Sequence, residues 1–258
     1  MHITLTGNLG SGKSTVCRIL EGKYGFEVFS TGKVIRSIAD DMGISVLEMN
    51  ELMSKDPKYD HMIDDRTAAI SRENPDKQIL FDSRLAWNFV EKSFKAFLSV
   101  DLAEAARRVY ADASRGEVET YKDEADAAEQ LAARAANENA RYEELYGIHY
   151  FDFNNYNLVL DSSYLPPERV ADALIGEARS CDNWNGYPVT GRMLVSPKRL
   201  GIPSDTEVTF EHGYVYPMPV KLRVDGNRFL IVEGEEYVKK AAEEGYAYVS
   251  ARFCSVTA

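Results

Sequence analysis

The sequence predicts an α/β protein: a three-layer α/β/α core around a five-stranded parallel sheet, followed by a small C-terminal α+β module. Three observations carry this. Short β-rich apolar runs alternate with longer helical stretches through residues 1–178, a pattern that calls for a parallel sheet covered by helices. A Gly-rich segment joins the first predicted strand directly to the first predicted helix. After Arg179 the texture changes, because seven of the nine prolines lie beyond residue 165 and turn dipeptides become frequent. The expected boundary therefore divides residues 1–179 from an accessory domain at 180–258.

In chain order, Ile3–Thr6 is the first strand and Ser14–Tyr24 the helix behind it. Glu27–Ser30 follows as a strand, and Thr31–Met42, Val46–Lys55 and Tyr59–Arg72 carry helical spacing. Gln78–Asp82, Ala96–Val100 and Asn157–Leu160 complete the five strands, separated by helices over Leu102–Asp112 and Ala125–Leu145. Pro166-Pro167 fits a helix start, which opens Pro167–Arg179. In the tail, Asn185-Gly186, Asp225-Gly226 and Glu233-Gly234 punctuate the chain. Val220–Val224 and Arg228–Val232 read as a hairpin around Asp225-Gly226-Asn227, followed by a helix over Glu235–Glu244 and a strand at Tyr246–Ser250.

Composition narrows the function classes. Of 258 residues, 45% are hydrophobic and 11% aromatic, enough for a packed core and against disorder. The 30 basic and 41 acidic side chains leave a formal charge of −11, so no nucleic-acid or anionic-membrane partner is expected, while a local basic pocket for a phosphorylated ligand remains open. The deficit sits in residues 1–178, with 20 basic against 31 acidic side chains; residues 179–258 hold 10 of each. Asp112 to Glu129 is the densest acidic run and reads as a solvated face. Cys17, Cys181 and Cys254 are scattered without metal-binding spacing, and neither a signal-like N-terminus nor 18 consecutive apolar residues occur, so a cytoplasmic protein without disulfide framework is expected.

The strongest motif is Gly7-Asn8-Leu9-Gly10-Ser11-Gly12-Lys13-Ser14-Thr15, which satisfies G-x-x-x-x-G-K-[ST] between strand and helix. Its glycines let backbone N–H groups turn inward on phosphate oxygens and the helix presents its positive end. Lys13 can reach β- and γ-phosphates, and the Ser14 hydroxyl can ligate Mg²⁺. This is the loop of P-loop NTPases, which implies binding of ATP or GTP, and ATP with Mg²⁺ is the expected cofactor set. Neither the guanine-recognition run of G proteins nor the signature of transporter ATPases is present, which leaves the small-molecule and nucleotide kinases.

Downstream lie Ser30-Thr31-Gly32-Lys33-Val34-Ile35-Arg36, Asp60, Asp64-Asp65-Arg66 and Phe81-Asp82-Ser83-Arg84-Leu85. With these the chain resembles the cytidylate kinase-like family of nucleoside monophosphate kinases, as far as Ser163. The resemblance implies that Arg36 and Arg84 hold the acceptor's phosphate, with Ser30, Gly32 and Asp60 or Asp64 nearer its sugar or base. Ser83 stands where the family usually has glycine. Asp82 ends an apolar run, where a P-loop enzyme places the acid that orients hydrated Mg²⁺. Arg134, Glu138 and Arg141 fall on one helical face, so Glu138 is expected to hold both arginines. They resemble the family's lid, a helical segment closing over the transferred phosphoryl group, and Arg107-Arg108 stands where that lid begins, Arg108 facing ATP. Asp112 and Gly147-Ile148-His149 depart from the family pattern, and His149 among Tyr150, Phe151 and Phe153 reads as packing rather than a base.

The implied reaction is phosphoryl transfer from ATP to a nucleoside monophosphate, CMP or dCMP, with Lys13, Arg134 and Arg141 as catalytic cations. Two alternatives stand beside it: a P-loop kinase of another small metabolite, and a non-catalytic ATP-binding regulatory protein. The tail run from Pro219 to Gly245 resembles the N-terminal fold of ParB-like proteins, but Glu235-Glu236 replaces that family's basic or His residues and no role carries over. An accessory or dimerisation module is the expectation for 180–258.

Overall fold

A computed structural model describes residues 1–112, 121–181, 191–210 and 213–254. Part of the acidic run after Asp112 and the Asn185-Gly186 turn lie outside the described residues. Strands β1 (His2–Gly7), β2 (Glu27–Ser30), β3 (Ile79–Asp82), β4 (Phe94–Ser99) and β5 (Leu158–Asp161) form the parallel sheet in spatial order β2-β3-β1-β4-β5. That sheet does not end at β5. A short strand absent from the sequence reading, β6 (Arg192–Val195), adds to it in parallel, and β9 (Tyr248–Cys254), β7 (Val215–Asp225) and β8 (Arg228–Glu233) continue the same nine-stranded sheet.

Side chains alternate between the two faces, as the two-residue strand period requires. Ile3, Leu5, Leu98, Leu160 and Leu194 pack on one side with α1 (Lys13–Tyr24) and α8 (Pro167–Ser180). Phe97, Val159, Met193 and Val249 point the other way, into a core that also holds Trp87, Tyr156, Phe229 and Val238. Both cores draw on residues from before and after position 180, so the C-terminal segment is packed as an extension of the sheet.

The helices α2 (Thr31–Met42), α3 (Val46–Lys55) and α4 (Lys58–Glu73) form a third cluster around Ile38, Met49, Ile63 and Phe81. Ser45 and Glu48 make a capping box that starts α3. A four-residue helix, α5 (Ala86–Phe89), follows β3 and is too short to show periodicity in the sequence. The segment expected to form a lid folds as α6 (Leu102–Ala111) and α7 (Glu124–Tyr146), which pack together through Val109, Ala127 and Leu131.

In the tail, β7 is longer than the predicted hairpin arm, beginning at Val215, because its pairing with β9 shifts register between Tyr216 and Val220 around Pro217 and Pro219, which cannot donate to a ladder. The hairpin turn closes between Asp225 and Arg228, followed by α9 (Glu235–Glu243). Register decides where chemistry can happen. Leu5 and Ser30 pair with Asp82, Gly7 with Leu98 and Ser99 with Asp161, so the carboxyl ends of five strands meet at one edge.

Candidate active site

At that edge the Gly-rich segment leaves β1 and enters α1. Gly10 takes φ 77° and a Cβ there would come within 2.9 Å of Ala105 on α6, so only glycine lets the loop lie this close to the lid. Gly7 is equally confined, since a Cβ would stand 2.6 Å from the Leu98 carbonyl. No side chain caps the start of α1 at Gly12, which leaves its positive end facing the cleft. Asn8 to Thr15 line this cleft, about 580 Å³ in volume, together with Arg18, Arg84, Arg108 and Arg134. Four guanidinium groups around a helix N-terminus suit a polyphosphate.

Lys13 Nζ donates to the Asp82 carboxylate at the end of β3, tying the loop to the neighbouring strand. Burial pulls the Lys13 ammonium down to about 8, and the nearby Arg84 cation pushes the same way. At about 8 the ammonium is still mostly protonated at neutral pH. Ser14, at the first turn of α1, offers a hydroxyl to the same cleft.

Arg84 lies deeper than the sequence suggested. Its Nη1 donates to the Gly7 carbonyl at 2.5 Å and its Nε to Glu138 at 3.1 Å. Glu138 therefore holds Arg134, at 3.4 Å, and Arg84, rather than Arg134 and Arg141. Arg141 instead reaches Asp60 on α4 at 3.0 Å. Helical spacing permits the pair within α7, but the carboxylates of α4 and the arginine of the β3 loop are tertiary neighbours that spacing does not reveal.

On the same side, Tyr146 donates to Asp64 at 2.7 Å. Burial pushes the Asp64 carboxyl up to about 6, against the pull of that hydrogen bond, and the Tyr146 hydroxyl is also raised by burial. Ser30 caps α2 by accepting from the Lys33 N–H at 3.3 Å. Arg36 is exposed on α2, near Gly32, and is not among the residues that line the cleft. His149 is exposed and lies 3.2 Å from Glu143, so it is a surface group and not the packed one its aromatic neighbours suggested.

Behind the Gly-rich loop a second cavity of about 600 Å³ is bounded by Ser11, Thr15, Arg108, Ser163 and Tyr164. Arg108 crosses it, donating to the carbonyls of Ser162 and Ser163 at 2.7 and 2.8 Å and pairing with Glu104 at 2.8 Å. Glu104, held below the usual carboxylate range by hydrogen bonds from Arg107 and Arg108, escaped the sequence reading, as did the roles of Ser162, Ser163 and Tyr146. The i,i+3 and i,i+4 spacing of Glu104 to Arg107 and Arg108 was the signal available for the first.

The profile of the cytidylate kinase-like family matches residues 2–164. The chain belongs to that family. Relatives in it include a cytidylate kinase of Methanocella arvoryzae, 34% identical over 163 residues that span 63% of this chain and 88% of the relative. Another is a cytidylate kinase of Natronomonas pharaonis, 35% identical over 196 residues, 74% and 97% of the two chains. Among solved structures, an uncharacterized protein from Eubacterium ventriosum superposes with a TM-score of 0.53 over 70% of this chain and 98% of its own, at 16% identity, a likeness of fold alone. The family match ends before β6, so the sheet extension and α9 lie beyond it. Among the described residues no helix is long and apolar enough to cross a membrane.

Proposed function

We propose that this cytidylate kinase-like protein transfers the γ-phosphoryl group of ATP to a nucleoside 5′-monophosphate, CMP or dCMP. The observation that supports this reading best is the gathering of Lys13, Arg84, Arg134 and Glu138 on the Gly-rich loop, between the donor cleft and the Asp60 and Asp64 side of the molecule. An acceptor phosphate is already ionised, so one of its oxygens attacks the γ-phosphorus in line without a general base. Positioning and charge neutralisation then supply the rate.

In this reading Lys13 bears charge on the transferring group, and Arg134 and Arg141 approach it from the lid. Arg84, with Arg36 on α2, fixes the acceptor phosphate in the bidentate manner guanidinium groups allow. The Glu138 carboxylate orients Arg84 and Arg134 until phosphate oxygens take its place. Asp60 and Asp64, with Ser30, face the acceptor's sugar and base, where an ionised carboxylate accepts from the exocyclic amine of cytosine. The cavity crossed by Arg108 takes the donor's adenosine end.

Ser14 and Asp82 are the residues that would hold Mg²⁺. Both offer hard oxygen donors next to Lys13, and the lack of a cluster of three or more metal-ligating side chains among the described residues suits an ion that leans on substrate phosphates. Held there by Ser14 and Asp82, Mg²⁺ would supply positive charge that offsets the negative charge of the donor's phosphates. Closing α6 and α7 over the cleft would exclude water that otherwise competes as acceptor.

A coupled assay of ADP release across CMP, dCMP, UMP, AMP and shikimate tests the reading. CMP or dCMP should raise the rate far above basal hydrolysis. A response to shikimate alone would move the protein to a different acceptor class, and ATP binding without any acceptor response would make it a regulatory binder.

A further inference from the structure

The chain beyond the family match reaches back to the nucleotide side of the molecule through one buried arginine. We propose that Arg199, carried by the short 3₁₀ turn Pro197–Leu200 after β6, is a positioning residue for the donor nucleotide: it fixes the turn Asp161–Ser163 and thereby sets ATP affinity. The inference rests on the reading of the protein as an ATP-dependent kinase.

The Arg199 and Asp161 side chains are 2% and 0% exposed and joined Nη1 to Oδ1 at 3.0 Å. Both ends of the pair are used. The second arm of Arg199 donates to the Asn227 carbonyl and side-chain oxygen at 3.1 and 3.0 Å, while its plane lies 4.2 Å from the Phe229 ring. Asp161 Oδ1 also accepts from the Ser163 N–H and hydroxyl, and Oδ2 from the Ser196 N–H at 3.1 Å. Both carboxylate oxygens and both terminal guanidinium nitrogens of this buried pair are bonded, Arg199 Nε alone having no partner, and these bonds hold the turn in its arrangement.

That turn touches the donor site at three points. The Ser162 hydroxyl donates to the Ser11 carbonyl of the Gly-rich loop at 2.9 Å. Ser163 Oγ accepts from the Asp101 N–H, which begins the lid, at 2.9 Å. The Ser162 and Ser163 carbonyls receive Arg108, and both residues border the cavity behind the loop. None of these contacts involves the Asp60 and Asp64 side. A shift of the turn is therefore felt by the donor and not by the acceptor, which separates positioning from general loosening.

The test uses the full chain, titrating a fluorescent ATP analogue directly and measuring KM for ATP and for CMP. Arg199→Met, alone or with Asp161→Asn so that no charge is stranded, should weaken ATP binding about tenfold and leave the KM for CMP unchanged. Arg199→Lys keeps the charge but cannot bridge Asp161 and Asn227 together, so about a threefold loss is expected; it decides the matter should the Met variants fail to fold. Folded variants with wild-type ATP affinity, or with equal losses for ATP and CMP, overturn the proposal. A wild-type chain that binds no ATP would overturn the kinase reading as well, whereas wild-type binding with unaffected variants removes this inference alone.

Discussion

Glu138 on the lid helix accepts from Arg84 Nε at 3.1 Å, and Arg84 in turn donates to the carbonyl of Gly7 where the phosphate-binding loop begins. One carboxylate thus links the lid to the floor of the cleft while it holds Arg134 from its own helix. In the proposed reaction both arginines would meet the phosphates from a preset direction, which is where orientation contributes to rate.

Replacing Glu138 with Gln keeps the shape and removes the charge that aims both arginines. Steady-state kinetics should show kcat lowered about tenfold with little change in KM for ATP. A variant with wild-type kcat would reduce Glu138 to a bystander.

Lys13→Ala removes the cation that pairs with Asp82 and, in the proposed reaction, faces the donor phosphates. Loss of a group that stabilises transition-state charge costs on the order of a thousandfold in kcat. Circular dichroism should show the fold intact, and CMP phosphorylation at the wild-type rate would contradict the assigned role.

With Asp64 facing the acceptor base as proposed, acceptor choice should depend on pH. Burial pushes its carboxyl up to about 6, so above that value it would accept from the cytosine amine and below it would offer a proton to the O4 of uracil. The ratio of kcat/KM for CMP over UMP should fall as pH drops from about 7.5 to about 5. The acceptor phosphate titrates alike in both substrates and cancels. Between the ordinary carboxyl value of 3.8 and about 6 the native state holds the extra proton, so this residue's contribution to stability is present at low pH and is lost as pH rises through that window. Asp64→Asn should flatten both dependences; a CMP to UMP ratio that still follows pH in that variant would place the discrimination elsewhere.

Phe97 is fully buried and contacts the rings of Phe151, Phe153 and Tyr156 in a core shared with Met193, Phe229 and Val249. Phe97→Ala should cost about 3–5 kcal/mol. Because that core spans both sides of residue 180, calorimetry should show one unfolding transition that moves as a whole. Two separable transitions would mean that the C-terminal segment folds on its own.

Much of this was legible in the residues. The five parallel strands and eight of the helices, α1 to α4 and α6 to α9, follow from periodicity, and the Gly-rich loop announces itself because every one of its positions has a backbone task that few residues can perform. β6 and α5 were not legible: four residues are shorter than a helical turn needs to repeat, and an apolar run such as Arg192–Val195 becomes a strand only when an existing sheet edge accepts it. The partners of Arg141 were hidden for a related reason. Spacing along α7 offers it Glu138, but α4 brings Asp60 to 3.0 Å across 81 residues of chain.

The sequence by itself determined the phosphate cradle, the order of strands and helices and the family, since each depends on local backbone demands or on patterns repeated within a few residues. Only the tertiary structure decided which cation answers which carboxylate: Arg84 to Glu138, Arg141 to Asp60, Arg199 to Asp161. Charges act through space at separations of a few ångströms, and the sheet register that sets those separations joins residues far apart along the chain.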